Sequence, residues 1–331
     1  MLRLPPFTFI APETLEEAAK ALSQHGQDAM LVAGGTDLYP NMKRRQFEPK
    51  VLIGLKNIQE LRGISGDETV GVTIGASVTL REASSHPALL NHYYALAKAA
   101  GLVSTPPLRN MGTVGGNLCV DTRCNYYNMP HTWRKAIGFC MKKDGDVCLV
   151  APGSHRCWAI SSSDLAPVVL ALDARLRLVG SGGERVLPAG EFYRNDGIEY
   201  LAKEADEILA DVRLPPADGW RTTYWKLRRR GSFDFPILGV AVSLRLRERG
   251  VVDSFRLVLG AVASGPVEVR EAEAILVDKR PSADDVAAVA EAAFTIAKPL
   301  DNADGHFYWR KRMVKLYVKG ALKELLSVEE S

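Results

Sequence analysis

Hydrophobic residues in the first part of the chain follow two different periods. Residues 12–24 carry apolar side chains at helical spacing, namely Leu15, Ala18, Ala19 and Leu22. Acidic residues in the first turn and Gly26 after the last apolar position are typical of a helix start and end. Short apolar runs at 29–33 and 50–55 indicate strands, and Gly34-Gly35 interrupts the first run. The pattern predicts a small β-α-β unit of about sixty residues.

Strand and helix patterns continue to alternate in the rest of the chain. Strands are predicted at 69–74, 175–179, 207–214, 221–227, 237–246 and 252–263. Helices are predicted at 80–84, 88–100, 164–173, 267–276, 283–297 and 306–326. Residues 102–117 are rich in Pro, Gly and Asn and should form a loop. The turn-rich stretch 215–219 marks a boundary, after which strands and then helices indicate a compact C-terminal domain. The fold class predicted is α+β.

Composition limits the classes of function. The chain has 331 residues, of which 47% are hydrophobic and 24% charged, as in ordinary globular proteins. No apolar run could span a bilayer, and the N-terminus lacks the apolar segment of a secretion signal. We therefore expect a cytoplasmic protein with no membrane contact. A net charge of +3 gives no reason to expect a nucleic-acid partner.

Four of the five cysteines lie within 34 positions, at Cys124, Cys140, Cys148 and Cys157. Clustered thiols in a chain without a secretion signal are more often metal ligands than disulfides. Their spacing matches neither the ferredoxin motifs nor a zinc ribbon, but four thiolates suit a cluster with one ligand per iron. Zinc and plain buried thiols remain alternatives. Cys119 is either a buried free thiol or a substitute for Cys124 as a ligand.

The same segment is basic and aromatic. Its charges are Arg123, Arg134, Lys135, Lys142, Lys143 and Arg156 against Asp144 and Asp146. They form either a solvated face or a surface that guides an acidic redox partner such as a ferredoxin. The aromatic side chains Trp133, Trp158, Tyr126 and Tyr127 are predicted to pack around a metal, with an ordinary core role as the alternative.

Two glycine turns are candidates for phosphate binding. Gly34-Gly35 follows a strand and precedes Thr36, a hydroxyl donor, and a second turn spans 112–117. Glycine lets backbone N–H groups approach a phosphate, so two such turns could hold one dinucleotide. Neither turn has the Gly-x-Gly-x-x-Gly fingerprint, and each could be a simple tight turn.

These motifs together resemble the FAD-binding medium subunits of the molybdenum hydroxylases, the xanthine dehydrogenase and carbon monoxide dehydrogenase group. The resemblance covers almost the whole chain and lies in residues 33–37, 113–117 and 164–167. Most members lack the cysteine insertion. It looks like the insertion of the 4-hydroxybenzoyl-CoA reductase β subunit, which holds an additional 4Fe–4S cluster.

The resemblance implies a PCMH/VAO-type FAD domain built from two subdomains, 1–57 and 58–216, with the iron–sulfur insertion at about 122–158 and a C-terminal domain at 217–331. It places FAD against Leu31, Val32, Ala33, Gly34, Gly35, Thr36, Asp37, Leu38, Val103, Thr113, Val114, Gly115, Gly116, Asn117, Asp164, Leu209 and Lys226. It makes Cys124, Cys140, Cys148 and Cys157 the cluster ligands and Cys119 a non-ligand. It places no catalytic residue on this chain.

The resemblance also implies partners. A large molybdenum-cofactor subunit and a small subunit with two 2Fe–2S clusters would complete a heterotrimer, paired into a dimer of trimers. Reduced ferredoxin would feed the cluster, and electrons would pass through FAD to a reductive dehydroxylation of a hydroxybenzoyl-CoA. One alternative is an aldehyde or xanthine dehydrogenase-type subunit that passes electrons out to an acceptor. A non-redox alternative is a zinc-stapled interaction module.

Overall fold

A computed structural model describes residues 3–326, and a small parallel sheet opens the chain. Its strands are β1 (Thr8–Ile10), β2 (Ala29–Val32) and β3 (Val51–Gly54), in the order β1-β3-β2. The connecting helices are α1 (Leu15–His25) and α2 (Leu38–Lys43). Thr14 caps α1 by accepting a hydrogen bond from the Glu17 N–H, and Gly26 ends the helix at a φ of 50°. The predicted opening unit is confirmed, with β1 and α2 added to it.

The second sheet has five antiparallel strands in the order β4-β5-β8-β6-β7. They are β4 (Ile64–Asp67), β5 (Gly71–Gly75), β6 (Arg175–Gly180), β7 (Gly183–Pro188) and β8 (Ile208–Leu214). The helices of this region are α3 (Leu80–Ser85), α4 (Pro87–His92), α5 (Tyr94–Leu102), α6 (Pro106–Arg109), α7 (Val114–Leu118), α8 (His131–Ala136), α9 (Ala166–Ala171) and α10 (Ala189–Phe192). One continuous apolar core joins this sheet to α1 and β3.

The third sheet is antiparallel and belongs to the C-terminal part. Its strands are β9 (Trp220–Leu227), β10 (Leu238–Leu246), β11 (Val252–Gly260) and β12 (Val267–Glu268), in the order β12-β11-β10-β9. Helices α11 (Glu271–Leu276), α12 (Ala283–Ile296) and α13 (Phe307–Leu326) share a second core with it. Helices α5 and α9 also contact strands of this sheet and connect it to the rest of the molecule. The predicted order of strands before helices is confirmed.

Three local predictions were wrong in detail. Residues 102–117 are not a plain loop, because α6 and α7 lie within them. The predicted helix 88–100 breaks at Tyr93, which has a non-helical φ of −128° and donates its hydroxyl to the Pro215 carbonyl. The segment 267–276 begins as β12 and becomes helical at Glu271. Within residues 3–326, no helix has the length and apolar character needed to cross a bilayer.

Candidate functional site

A cavity of about 430 Å³ lies where the carboxyl end of β2, the start of α7 and strand β8 meet. It is lined by most residues that the resemblance implied for FAD: Leu31, Val32, Ala33, Gly34, Gly35, Thr36, Asp37, Leu38, Val103, Thr113, Gly115, Gly116, Asn117 and Leu209. Its size is typical of a small-molecule site. The two glycine turns, eighty residues apart in sequence, therefore form one wall of one cavity, which we call the cofactor cavity.

Close backbone packing explains the glycines of the first turn. A Cβ at Gly34 would overlap the carbonyl oxygen of Met111, which immediately precedes the second turn. Gly35 has a φ of +68°, and a Cβ there would overlap the Tyr39 ring. The wall of the cofactor cavity is thus made by backbone atoms of two touching turns. Such a wall fits a phosphate-bearing cofactor, because glycine has no side chain to keep a phosphate away from the backbone.

The second turn continues directly into α7. Thr113 is its N-cap and accepts a hydrogen bond of 3.0 Å from the Gly116 N–H. Gly115 packs so closely on Ala76 that a Cβ would overlap that side chain. Asn117 accepts hydrogen bonds from the Ser163 hydroxyl and the backbone N–H of residue 165, which fixes the turn to the start of α9.

Three residues named for FAD do not line the cavity. Val114 is fully buried in the main core. Asp164 and Lys226 form a buried ion pair of 2.9 Å, and the Tyr224 hydroxyl donates to the same carboxylate at 2.8 Å. Burial raises the pKa of Asp164, although the Lys226 and Tyr224 side chains act against that shift. Lys226 also donates to the carbonyl of Leu102, one residue before the cavity-lining Val103. The ion pair therefore lies outside the cofactor cavity and contacts its wall through the Leu102 carbonyl.

Sequence reasoning missed several residues of the cofactor cavity. They include Cys119, Asp121, Tyr200, Lys203, Glu207 and Phe235. Phe235 lies in the segment after β9 and stacks under the guanidinium of Arg123 at 4.6 Å. Arg123 also forms an ion pair with Asp37 of the first glycine turn, and burial lowers the pKa of Arg123 to about 10. No sequence signal places Phe235 here, since the contact is made by tertiary packing.

Cys124, Cys140, Cys148 and Cys157 surround a second, small cavity, which we call the cysteine cavity. All four are buried, and all five cysteines are free thiols, while Cys119 lines the cofactor cavity instead. Burial, with neighbouring thiols adding to it, raises the pKa of Cys124 to about 12 and that of Cys157 to about 11. Within residues 3–326, no group of three or more His, Cys, Asp or Glu side chains is placed to hold a metal ion. The four sulfurs share a cavity without forming a ready single-ion site.

The basic face predicted for this segment is only half present. Arg134 is 1% exposed and donates to the Arg45 carbonyl, and the Arg123 and Lys142 side chains are also buried in ion pairs. Each of these cations is used inside the molecule, so Lys135, Lys143 and Arg156 are left to face solvent in full or in part.

The aromatic shell predicted around the metal is also incomplete. Tyr126 and Tyr127 line the cysteine cavity. Trp133 is 40% exposed and is not part of its wall. Trp158 stacks instead with Arg156 at 3.8 Å and donates its ring N–H to Ser154. Two of the four aromatic residues therefore shield the thiols.

Comparison with known proteins shows the family and the fold of the chain. The family profile described as FAD binding domain in molybdopterin dehydrogenase matches residues 5–217, and the CO dehydrogenase flavoprotein C-terminal domain matches 222–325. The carbon monoxide dehydrogenase medium chain of Hydrogenophaga pseudoflava is 30% identical over 319 residues, covering 96% of each chain. The aldehyde oxidoreductase FAD-binding subunit of Escherichia coli is 30% identical over 279 residues, covering 82% of this chain and 86% of that one. The solved structure of carbon monoxide dehydrogenase from Hydrogenophaga pseudoflava matches with a TM-score of 0.81 at 30% identity, covering 98% of this chain and 99% of that one.

Proposed function

Because the chain belongs to the family of FAD-binding medium subunits of the molybdenum hydroxylases, and is thus an oxidoreductase subunit, we propose that it joins FAD to a 4Fe–4S cluster. FAD would occupy the cofactor cavity, and Cys124, Cys140, Cys148 and Cys157 would hold the cluster. The observation that carries the proposal is that four buried thiols line one small cavity beside the cofactor cavity. Thiolates are the ligands of such clusters, and a flavin can exchange one or two electrons with them.

The residues of the chain would bind and orient the flavin cofactor. The turn at 34–37 would present backbone N–H groups to the pyrophosphate. The N–H groups of residues 114–117 are bonded within the protein, so the turn at 113–117 would bound the pyrophosphate by its glycine backbone. Val103 and Leu209 would supply apolar contacts. The Asp164–Lys226 pair would act through the Leu102 carbonyl by fixing the position of Val103. The chain supplies no residue for the substrate reaction in this proposal.

We propose that the subunit works in a heterotrimer, paired as a dimer of trimers, with a large molybdenum-cofactor subunit and a small subunit carrying two 2Fe–2S clusters. Within this family the cysteine insertion resembles that of 4-hydroxybenzoyl-CoA reductase, so the proposed reaction of the complex is ferredoxin-driven removal of a phenolic hydroxyl. The second candidate is an aldehyde or xanthine dehydrogenase-type complex that passes electrons outward. It is favoured by the similarity to the aldehyde oxidoreductase subunit.

The cofactor proposal is tested on anaerobically purified protein by FAD, iron and sulfide analysis with an absorption spectrum. We expect one FAD and four irons per chain. Cys140→Ser should lose iron and keep FAD. The matched control Cys119→Ser should keep its iron, because Cys119 lies outside the cysteine cavity. Zinc in place of iron, or equal loss of iron in the two variants, would overturn the proposed ligand set.

Direction and substrate are tested on the complete complex. Reduced ferredoxin with 4-hydroxybenzoyl-CoA should give benzoyl-CoA, whereas an aldehyde or a purine should not reduce the flavin. The reverse result supports the dehydrogenase alternative. If ferredoxin docks on Lys135, Lys143 and Arg156, the rate of electron transfer from ferredoxin should fall as ionic strength rises. A salt-independent rate rejects that docking surface.

A further inference from the structure

One buried ion pair lies between the two cavities. Lys142 lines the cysteine cavity, and Asp121 lines the cofactor cavity. Lys142 Nζ and Asp121 Oδ1 are 2.7 Å apart, with the two side chains 6% and 10% exposed. This ion pair therefore contacts both the cofactor cavity and the cysteine cavity. The roles proposed for the glycine turns and the thiols do not explain why it is there.

The ammonium group of Lys142 is held in one orientation. Besides Asp121, it donates to the Thr122 hydroxyl at 2.7 Å and to the Gly197 carbonyl at 2.6 Å. A lysine ammonium has three N–H donors, so all three are used. The rings of Tyr127 and Tyr200 lie 4.9 Å and 5.6 Å from the nitrogen and keep water away from it. The charge is fixed in place rather than mobile.

We propose that Lys142 is a positioning residue that raises the reduction potential of the centre held by the four thiols, and that Asp121 offsets this charge on the flavin side. The inference rests on the proposed function. Reduction adds one electron, and so one negative charge, to a centre already made negative by thiolates. A buried cation beside it stabilises the reduced form, and a buried anion stabilises the oxidised form.

The test is a dithionite titration of the holoprotein, followed by EPR and visible spectroscopy. Dithionite supplies the electron and is oxidised to sulfite. Lys142→Met should shift the iron–sulfur potential to more negative values by at least tenfold in the reduction equilibrium constant, about 59 mV for one electron. Asp121→Asn should shift it in the opposite direction and move the flavin potential with it. Lys142→Arg, which keeps the charge, should lie closer to the wild type than Lys142→Met.

Lys135→Met is the matched control, since Lys135 lies in the same segment but is exposed, and its potential should equal that of the wild type. If Lys142→Met does not retain iron, Asp121→Asn and Lys142→Arg decide the question. Unshifted potentials in iron-loaded Lys142→Met or Asp121→Asn overturn the inference and leave the proposed function intact. Wild-type protein without iron overturns the proposed function itself.

Discussion

Asp164 and Lys226 show how burial makes each charge of an ion pair depend on its partner. Their side chains are 2% and 1% exposed, so water cannot compensate either charge. At the start of α9 it is the Ser163 hydroxyl, not the Asp164 carboxylate, that accepts the Ala166 N–H. The carboxylate is instead fixed by Lys226 and by the Tyr224 hydroxyl. This arrangement makes the pair sensitive to the loss of either partner.

We predict that Asp164→Asn lowers the free energy of unfolding by about 3–5 kcal/mol, because the Lys226 charge is left buried without a counter-charge. Chemical denaturation followed by circular dichroism measures the change. Asp234→Asn is the control, since its partner Arg230 is 68% exposed, and we expect a change below about 1 kcal/mol. The double variant Asp164→Asn with Lys226→Met should recover part of the loss. If Asp164→Asn and Asp234→Asn lowered the free energy of unfolding by the same amount, the prediction would be wrong.

At the scale of secondary-structure elements, the sequence predicted those helices and strands that are formed by contacts between residues close together in the chain. Helix α1 follows from its apolar spacing, the Thr14 cap and Gly26, all within a dozen residues. Strands β10 and β11 follow from their alternation and the short turn between them. By contrast, β1 has three residues and exists through its pairing with β3, and α7 depends on the backbone bond from Val114 to Val78. Neither short element could be predicted from its own residues.

The candidate site divides in the same way. The glycine turns could be located because each is a compact motif whose residues are neighbours in the chain. The ion pair between the cavities could not, because Asp121, Lys142 and Tyr200 are widely separated and meet through tertiary packing. Sequence spacing also gave no sign that Arg123 and Arg134 would turn inward. The sequence therefore predicted that the four cysteines lie close together, but not which side chains surround them.

The contact between the two glycine turns gives an element-scale prediction. Gly34→Ala places a methyl group against the Met111 carbonyl, which is backbone and cannot rotate away. We expect the turns to separate, with a loss of about 1–3 kcal/mol in stability and at least tenfold weaker FAD binding. Calorimetry on deflavinated protein measures the affinity. Gly190→Ala is the control, because a Cβ at Gly190 would meet no atom within 4 Å and α10 is far from the turns in sequence. Unchanged FAD affinity in Gly34→Ala would show that the close contact is dispensable.

For the whole molecule, the cysteine segment is attached both to the N-terminal subdomain and to the C-terminal domain. Gln46 donates to the Tyr127 carbonyl at 2.7 Å, from the N-terminal side. Asn302 donates to the Trp158 carbonyl and accepts from the Asn125 N–H, from the C-terminal side. Arg310 of α13 supports the Asn302 region through the Leu300 carbonyl at 2.9 Å. The thiols therefore depend on contacts that lie far from them in sequence.

We predict that Arg310→Met weakens this attachment. Arg310 is 1% exposed and donates to the carbonyls of Leu300 and Ala261. Its loss leaves the buried Ala261 carbonyl without this donor, at about 1–3 kcal/mol, while the Leu300 carbonyl keeps only the Asn302 N–H. Iron should be lost on mild heating before FAD is released, as followed by absorption at two wavelengths. Arg312→Met, on an exposed position of the same helix, should behave as the wild type. Simultaneous release of iron and FAD from Arg310→Met would argue against a role in holding the segment.

These anchors on both sides have a consequence for protein engineering. A designer who grafts residues 122–158 onto a relative without the insertion would carry over the four sulfurs but leave Gln46, Gly197 and Asn302 behind. The transplanted loop would carry the four cysteines but would lack the hydrogen bonds that hold them around one cavity. A successful graft must bring matching polar groups on three distant parts of the recipient, so the unit of transfer is larger than the loop itself.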